Sequence, residues 1–312
     1  MAAKLTRTLK PWPVPARVFQ PEAYGLDRKL ATAAIQAAVD ACAEAGGGTV
    51  RLSDGEYVSG TIVLRSGVML EVAAEARLLA STDLKHYPEH IARRPTVQDS
   101  NMGMHQSLIF AEGCERIGIS GKGVIDGRGS FENFPGTETI HATPGRPFVI
   151  RILDSRHVVV RDIAMKDSPC WMQNYLNCED LLIDGIHVEN QANHNNDGID
   201  IDGCRRVIVR NCWISSGDDA MCFKGASQRP TENVLIENSQ FYSSCNAIKM
   251  GTDSQGDLRN VLVRHVKIGG PSAEMRTVKR RKSDGGVSWE SVDGGTVERI
   301  VVHDVQIVRA ES

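Results

Sequence analysis

Two short stretches of this chain hold more carboxylates than packing requires: Asn195-Asn196-Asp197-Gly198-Ile199-Asp200-Ile201-Asp202 and Ser216-Gly217-Asp218-Asp219-Ala220-Met221-Cys222. Carboxylates crowded together raise one another's pKa, until one keeps its proton at neutral pH while a neighbour stays ionised. Hydrolysis of a glycosidic bond uses that combination. The acid protonates the departing oxygen, and the ionised partner activates water or attacks the sugar directly. One such segment alone is better read as a surface acidic patch or a calcium site. Both together make Asp197, Asp218 and Asp219 a candidate catalytic group, provided that some element brings them onto one face.

That element is a repeat. An apolar-x-apolar unit, two or three polar residues, then a second apolar-x-apolar unit recurs from Ile117, Val158, Leu181, Val207, Val234, Val261 and Ile300. The starts from Val158 to Val261 are 23, 26, 27 and 27 residues apart. Short alternating strands at this period predict a right-handed, single-stranded parallel β-helix, an all-β solenoid in which each coil covers its neighbour. The polar middle (Arg161-Asp162, Asp184-Gly185, Arg210-Asn211, Glu237-Asn238) reads as a bend between two strands. Asp197 and Asp219, 22 residues apart, then fall about one coil apart, so the acidic segments stack at adjacent levels.

The expected organisation is one domain over residues 1–312: an N-terminal extension to about 25, a helix over about 28–46, and coils from about 48 onward. Leu30–Ala45 is rich in helix formers, sets Ile35, Val39 and Cys42 along one face, and stops at Gly46-Gly47-Gly48. It is expected to cap the open apolar end of the solenoid. A composition 41% hydrophobic with 5% aromatic residues suits thin aliphatic layers. A net charge of −3 offers no field for a phosphate backbone, so nucleic acid is not an expected partner. No run of signal-peptide or membrane-spanning length is present, which predicts a soluble protein with no membrane partner and leaves compartment and oligomeric state open. The eight cysteines lack metal-type CxxC spacing and read mostly as small buried apolar residues.

NNDGIDID followed by SGDDAMCFK resembles the polygalacturonase family, the family-28 glycosidases, whose hallmarks are an N-x-D block and then an Asp-Asp pair. The stretches AAIQAAVDACAEAGGGTVRLSDGEYVSGTIVLRSGVMLEV, SGKGVIDGRG and WMQNYLNCEDLLIDGIHV extend the resemblance over nearly the whole chain. It implies an inverting hydrolase of pectic poly- or oligosaccharides without metal or organic cofactor. Asp218 would be the general acid, Asp197 and Asp219 would hold the water, and Asn195 would be a polar support.

Two family blocks differ. Cys245-Asn246-Ala247-Ile248-Lys249-Met250-Gly251 stands where a Gly-His-Gly is usual, and Ser288-Trp289-Glu290 where an Arg-Ile-Lys is usual. The lost cations recognise a uronate carboxylate, and Glu290 would repel one. A rhamnogalacturonan-type linkage or a modified sugar is therefore the better expectation. Lys249, on the polar face of its strand, reads equally as a substrate contact or a salt-bridged lysine, and Asn246 is a further polar candidate. His194 could titrate beside the carboxylates or face water. Trp171 and Trp289 are candidates for stacking on a sugar face, Trp213 less so because it occupies a packing position of the repeat. Lys224 falls on the opposite strand face from Asp219 by simple alternation. The run Lys279-Arg280-Arg281-Lys282 reads as a solvated loop or a border attracting a polyanion. Two rivals remain: a lyase on the same fold using calcium, and a carbohydrate-binding solenoid without catalysis.

Overall fold

The polar middle of each repeat is where the backbone turns, and it carries residues that tolerate a left-handed conformation. Asp162, Gly185, Asn211, Asn238, His265 and Asp304 all have φ between 51° and 68°. Short polar side chains, or none, keep that conformation inexpensive. The computed structural model describes residues 9–96, 105–136, 145–269 and 285–308, so the basic run 279–282 lies outside the described residues.

On either side of each turn the apolar triplets are parallel strands stacked in register. Val158, Leu181, Val207, Val234, Val261 and Ile300 form one column. Val160, Ile183, Val209, Ile236, Val263 and Val302 form the next. Among the described residues the fold is thus all-β apart from one α-helix and short 3-10 turns, a solenoid of parallel sheet as the period requires.

Each coil shows three faces. The first carries strands such as Glu179–Asp184 and Arg205–Arg210; the second carries His187–Asn190 and Trp213–Ser216. In the later coils Thr231–Ser243, Leu258–Gly269 and Val297–Val308 round the turn without a break, so one sheet takes in both faces. The third face is a separate eight-stranded sheet that includes Phe148–Leu153, Gln173–Leu176, Ile199–Asp202, Met221–Lys224, Asn246–Met250 and Gly285–Trp289.

The helix spans Thr32–Glu44 and buries Ala34, Ile35, Ala38, Val39 and Cys42. Ile35, Val39 and Cys42 join the same hydrophobic core as Val50, Leu70 and Ile119. Outside the coils, Leu9 and Trp12 lie over a second apolar stripe of Met69, Val159, Leu182, Ile208 and Leu235. Trp12 Nε1 donates to Ile117 O at 3.4 Å. The extension is thus part of the packing on the solenoid's outer surface. None of the eight cysteines is in a disulfide, and six are buried. Among the described residues no helix is long and apolar enough to cross a membrane.

Candidate active site

Alternation along the third face separates core from site. Ile152, Tyr175, Ile201, Phe223, Met250 and Trp289 occupy one in-register column, and its first five members are fully or almost fully buried in the core. The adjacent positions Arg151, Asn174, Asp200, Cys222, Lys249 and Ser288 form the outward column. Adjacent rungs lie about 4.8 Å apart. Polar groups from coils 22 to 39 residues apart therefore line one surface.

The two acidic segments stack as their spacing requires. Asp200 pairs with Cys222 across the strands, and Gly198 N donates to Asp219 O at 2.9 Å. Carboxylate oxygens of Asp197 and Asp200 group with the outward Cys222, those of Asp218 and Asp219 group with Cys245, each within 4.8 Å, and the outward Lys249 reaches Asp219, so all four carboxyls lie on the same side of the solenoid. Asp197, Asp200 and Asp219 are 3%, 0% and 2% exposed, whereas Asp218 is only half-buried and reaches the surface.

Asparagines hold the first segment in place. Asn190 Nδ2 donates to Asp197 O at 2.9 Å, and Asn196 Nδ2 donates to Ser168 O and Cys170 O at 2.8 and 3.0 Å. Asn193 Nδ2 reaches Gly129 O and Phe134 O. The second segment is tied by Ser216 and Ser243, whose hydroxyls both donate to Asp218 O at 2.6 Å. Asp219 N donates to Asp218 Oδ1 at 3.1 Å. On Asp219 itself three donors converge: Asn246 N at 3.1 Å and Asn246 Nδ2 at 3.0 Å on Oδ1, and Lys249 Nζ at 3.4 Å from Oδ2.

Burial, and then the repulsion of neighbouring acids, pushes the Asp197 carboxyl well above its ordinary range. Burial does the same to Asp200, with Lys224 opposing it. Neither oxygen of Asp200 meets a hydrogen-bond donor among the described groups, and the Asp197 carboxyl lies within 4.8 Å of it. Two buried carboxyls this close favour a proton on one of them. Lys224 is the counter-cation. Burial works against its ammonium, but Cys222, Asp200, Asp197 and Asp219 together hold it protonated well above the usual lysine value.

Several expected residues sit elsewhere than alternation or chemistry alone placed them. Lys224 belongs to the site: Asp219 precedes the strand Met221–Lys224, so two-residue alternation does not carry through the bend between them. Trp289 continues the inward column and, half-buried, packs against the core 6.3 Å from Phe223. Trp171 is 4% exposed, tilted against Phe148 at 5.4 Å and beneath the Lys224 ammonium at 5.0 Å. It walls the acid cluster and offers no ring face to a sugar.

His194 turns its ring edge-on to Phe131 at 5.0 Å, and its carbonyl accepts from Arg146 Nη1 at 2.7 Å. Asn195 Oδ1 accepts from Arg146 Nη2 at 2.9 Å. Lys249 is ion-paired, with Asp219 on one side and Glu290 Oε2 at 3.7 Å on the other. Asp200, Lys224, Arg146 and Asn190 are the participants that sequence reasoning missed. Asp200 had a signal: it lies in the first acidic segment and in register with Cys222.

Residues 54–307 match the family model for glycosyl hydrolases family 28. A probable polygalacturonase of Vitis vinifera is 28% identical over 69% of this chain and 46% of its own length. Exopolygalacturonase X-1 of Emericella nidulans is 25% identical over 94% of this chain and 70% of its own. This chain thus spans about half the length of the first relative. The crystal structure of an exopolygalacturonase from Thermotoga maritima covers 98% of the chain, and the chain covers 78% of it, with a TM-score of 0.75 at 19% identity, a likeness of fold. With the repeat, the stacked acidic segments and a family match over most of its length in agreement, the chain belongs to glycosyl hydrolases family 28.

Proposed function

We propose that this chain is an inverting glycoside hydrolase that cleaves a galacturonan- or rhamnogalacturonan-related poly- or oligosaccharide. One observation carries the reading: Asp197, Asp218 and Asp219, from two coils, share one outward surface, with two of them on its floor and Asp218 at the opening. Asp218 donates the proton to the leaving oxygen. Asp197 and Asp219 orient the water, and Asp219, fixed as an acceptor by Asn246 and Lys249, takes up its proton. The polygalacturonase names of the relatives support a pectic substrate. The chemistry uses carboxyls and water alone.

The test is release of reducing ends from de-esterified galacturonan and from rhamnogalacturonan, with product anomers followed by NMR. Inverted anomers are expected. Asp218→Asn should lower turnover by about 10²–10⁴-fold with an unchanged melting curve. Wild-type turnover in that variant rejects the assignment.

A calcium-dependent lyase is the competing chemistry, since ligand atoms of Asp197, Asp200 and Cys222, and of Asp218, Asp219 and Cys245, lie within 4.8 Å of one another in each group. Lys224 and Lys249 argue against it, because their ammonium groups already supply positive charge to these carboxylates. Activity is expected to survive a chelator with no rise in ultraviolet absorbance from unsaturated products; chelator-sensitive absorbance would favour the lyase.

We further read residues 1–312 as one solenoid domain of right-handed coils, the hand that parallel crossovers adopt. The helix Thr32–Glu44 is its N-terminal cap, a role supported by the apolar face it shares with the core.

A further inference from the structure

Glu290 stands where it decides what kind of sugar the acid cluster accepts. Ser288 and Glu290 flank the inward Trp289, and Ser288 shares a rung with Lys249. Ser288 Oγ donates to Glu290 Oε1 at 2.8 Å, which leaves Oε2 turned to Lys249 Nζ at 3.7 Å. The Lys249 ammonium is thus bracketed by two carboxylates, Glu290 and Asp219. The Lys249 side chain is 14% exposed and that of Glu290 35%, so what an incoming ring meets first is the carboxylate and not the cation.

Two carboxylates bracket the Lys249 ammonium; Lys224 also bears on it, but that second cation is shared with Asp197 and Asp200, so the corner keeps a surplus of negative charge. Burial and the neighbouring Lys224 work against the lysine, but Asp219 and Glu290 outweigh them and hold it protonated, so the cation is committed to its protein partners. A uronate placed here would add a third carboxylate around one ammonium. A hydroxyl-bearing ring, by contrast, can donate to Glu290, an acceptor with one oxygen already oriented by Ser288.

Resting on the hydrolase reading above, we infer that the sugar seated against Lys249 and Glu290 is uncharged, and that Glu290 is the residue that selects it against a uronate. Removing the Glu290 charge should release Lys249 to pair with a substrate carboxylate. Glu290→Gln keeps the shape and the acceptor for Ser288, so it isolates the charge.

The experiment measures kcat/KM and calorimetric affinity of the wild type, Glu290→Gln and Glu290→Lys on trigalacturonate and on a rhamnogalacturonan oligosaccharide, in which uronates alternate with neutral sugars. The wild type is expected to prefer the mixed oligosaccharide. Glu290→Gln should raise kcat/KM for trigalacturonate at least tenfold, mainly through KM, and tighten its binding at low salt; Glu290→Lys should go further. A wild type that binds and cleaves trigalacturonate in preference, with a ratio that Glu290→Gln leaves unchanged, overturns the inference while the hydrolase stands. If no variant cleaves either oligosaccharide but the affinities shift as described, the hydrolase reading falls and the selectivity remains. If the affinities also fail to shift, both are rejected.

Discussion

Asp202 lies two residues beyond Asp200 on the same outward side and shows what burial does to an acid held by hydrogen bonds. It is 1% exposed and accepts from Ser227 Oγ at 2.5 Å and from Ser227 N at 3.2 Å. Burial outweighs these bonds and lifts its pKa from 3.8 to about 6. Because the folded value is the higher one, the unfolded chain ionises more readily. The cost is absent below about pH 4, grows as pH rises, and is complete above about pH 6. It amounts to something on the order of 3 kcal/mol. Asp197 and Asp200 act in the same sense. Denaturant melts at pH 4, 5, 6 and 7 should therefore show stability falling across this window, and Asp202→Asn should flatten part of the fall. A stability that climbs over the same range would contradict the assignment.

At the scale of the element, the bends carry the register. Asn238 has φ of 51° in the middle of Thr231–Ser243, the strand that rounds the turn without a break. A β-branched residue there meets its own carbonyl. Asn238→Val is expected to cost about 1–2 kcal/mol, and Asn238→Gly to be close to neutral. Urea titration of both variants distinguishes a conformational requirement from a side-chain contact, since the latter would be lost equally in both. Inside the coil the rungs are aliphatic, and truncation leaves a void that neighbouring layers cannot fill. Ile236→Ala, from a fully buried position, should cost about 2–5 kcal/mol in the same titration.

For the whole molecule, stability is a sum over coils and the layers that cover them. The ends and outer stripes are where covering is uneven. Trp12 is 8% exposed over the stripe that runs through Met69, Val159 and Leu182. Trp12→Ala should lower stability by about 3 kcal/mol, with kcat/KM unchanged, because the stripe is on a different face from the acids. A loss of turnover at matched stability would show that the extension reaches the site. At the other end Val301 and Ile307 are 53% and 52% exposed on the last coil.

The sequence by itself determined the solenoid, the phase of its strands and the acids that share a surface. All three follow from periodicity: a side chain's face is set by alternation, and its level by the residue count per coil. Hence Val207 lies beside Leu181 and Val234, and the Asp200 strand beside the Cys222 strand. Only the tertiary structure decided what happens where periodicity is interrupted. Lys224 joins Asp219 because the chain bends before the strand begins, and Trp289 packs against the core because it extends the Phe223 and Met250 column. Trp171 is sealed by Phe148, a neighbour 23 residues earlier that no local pattern relates to it. Lys249 is committed to Asp219 and Glu290 across three coils. Contacts of this kind depend on where loops and bends aim side chains after the coils have stacked, and a one-dimensional repeat holds no record of that.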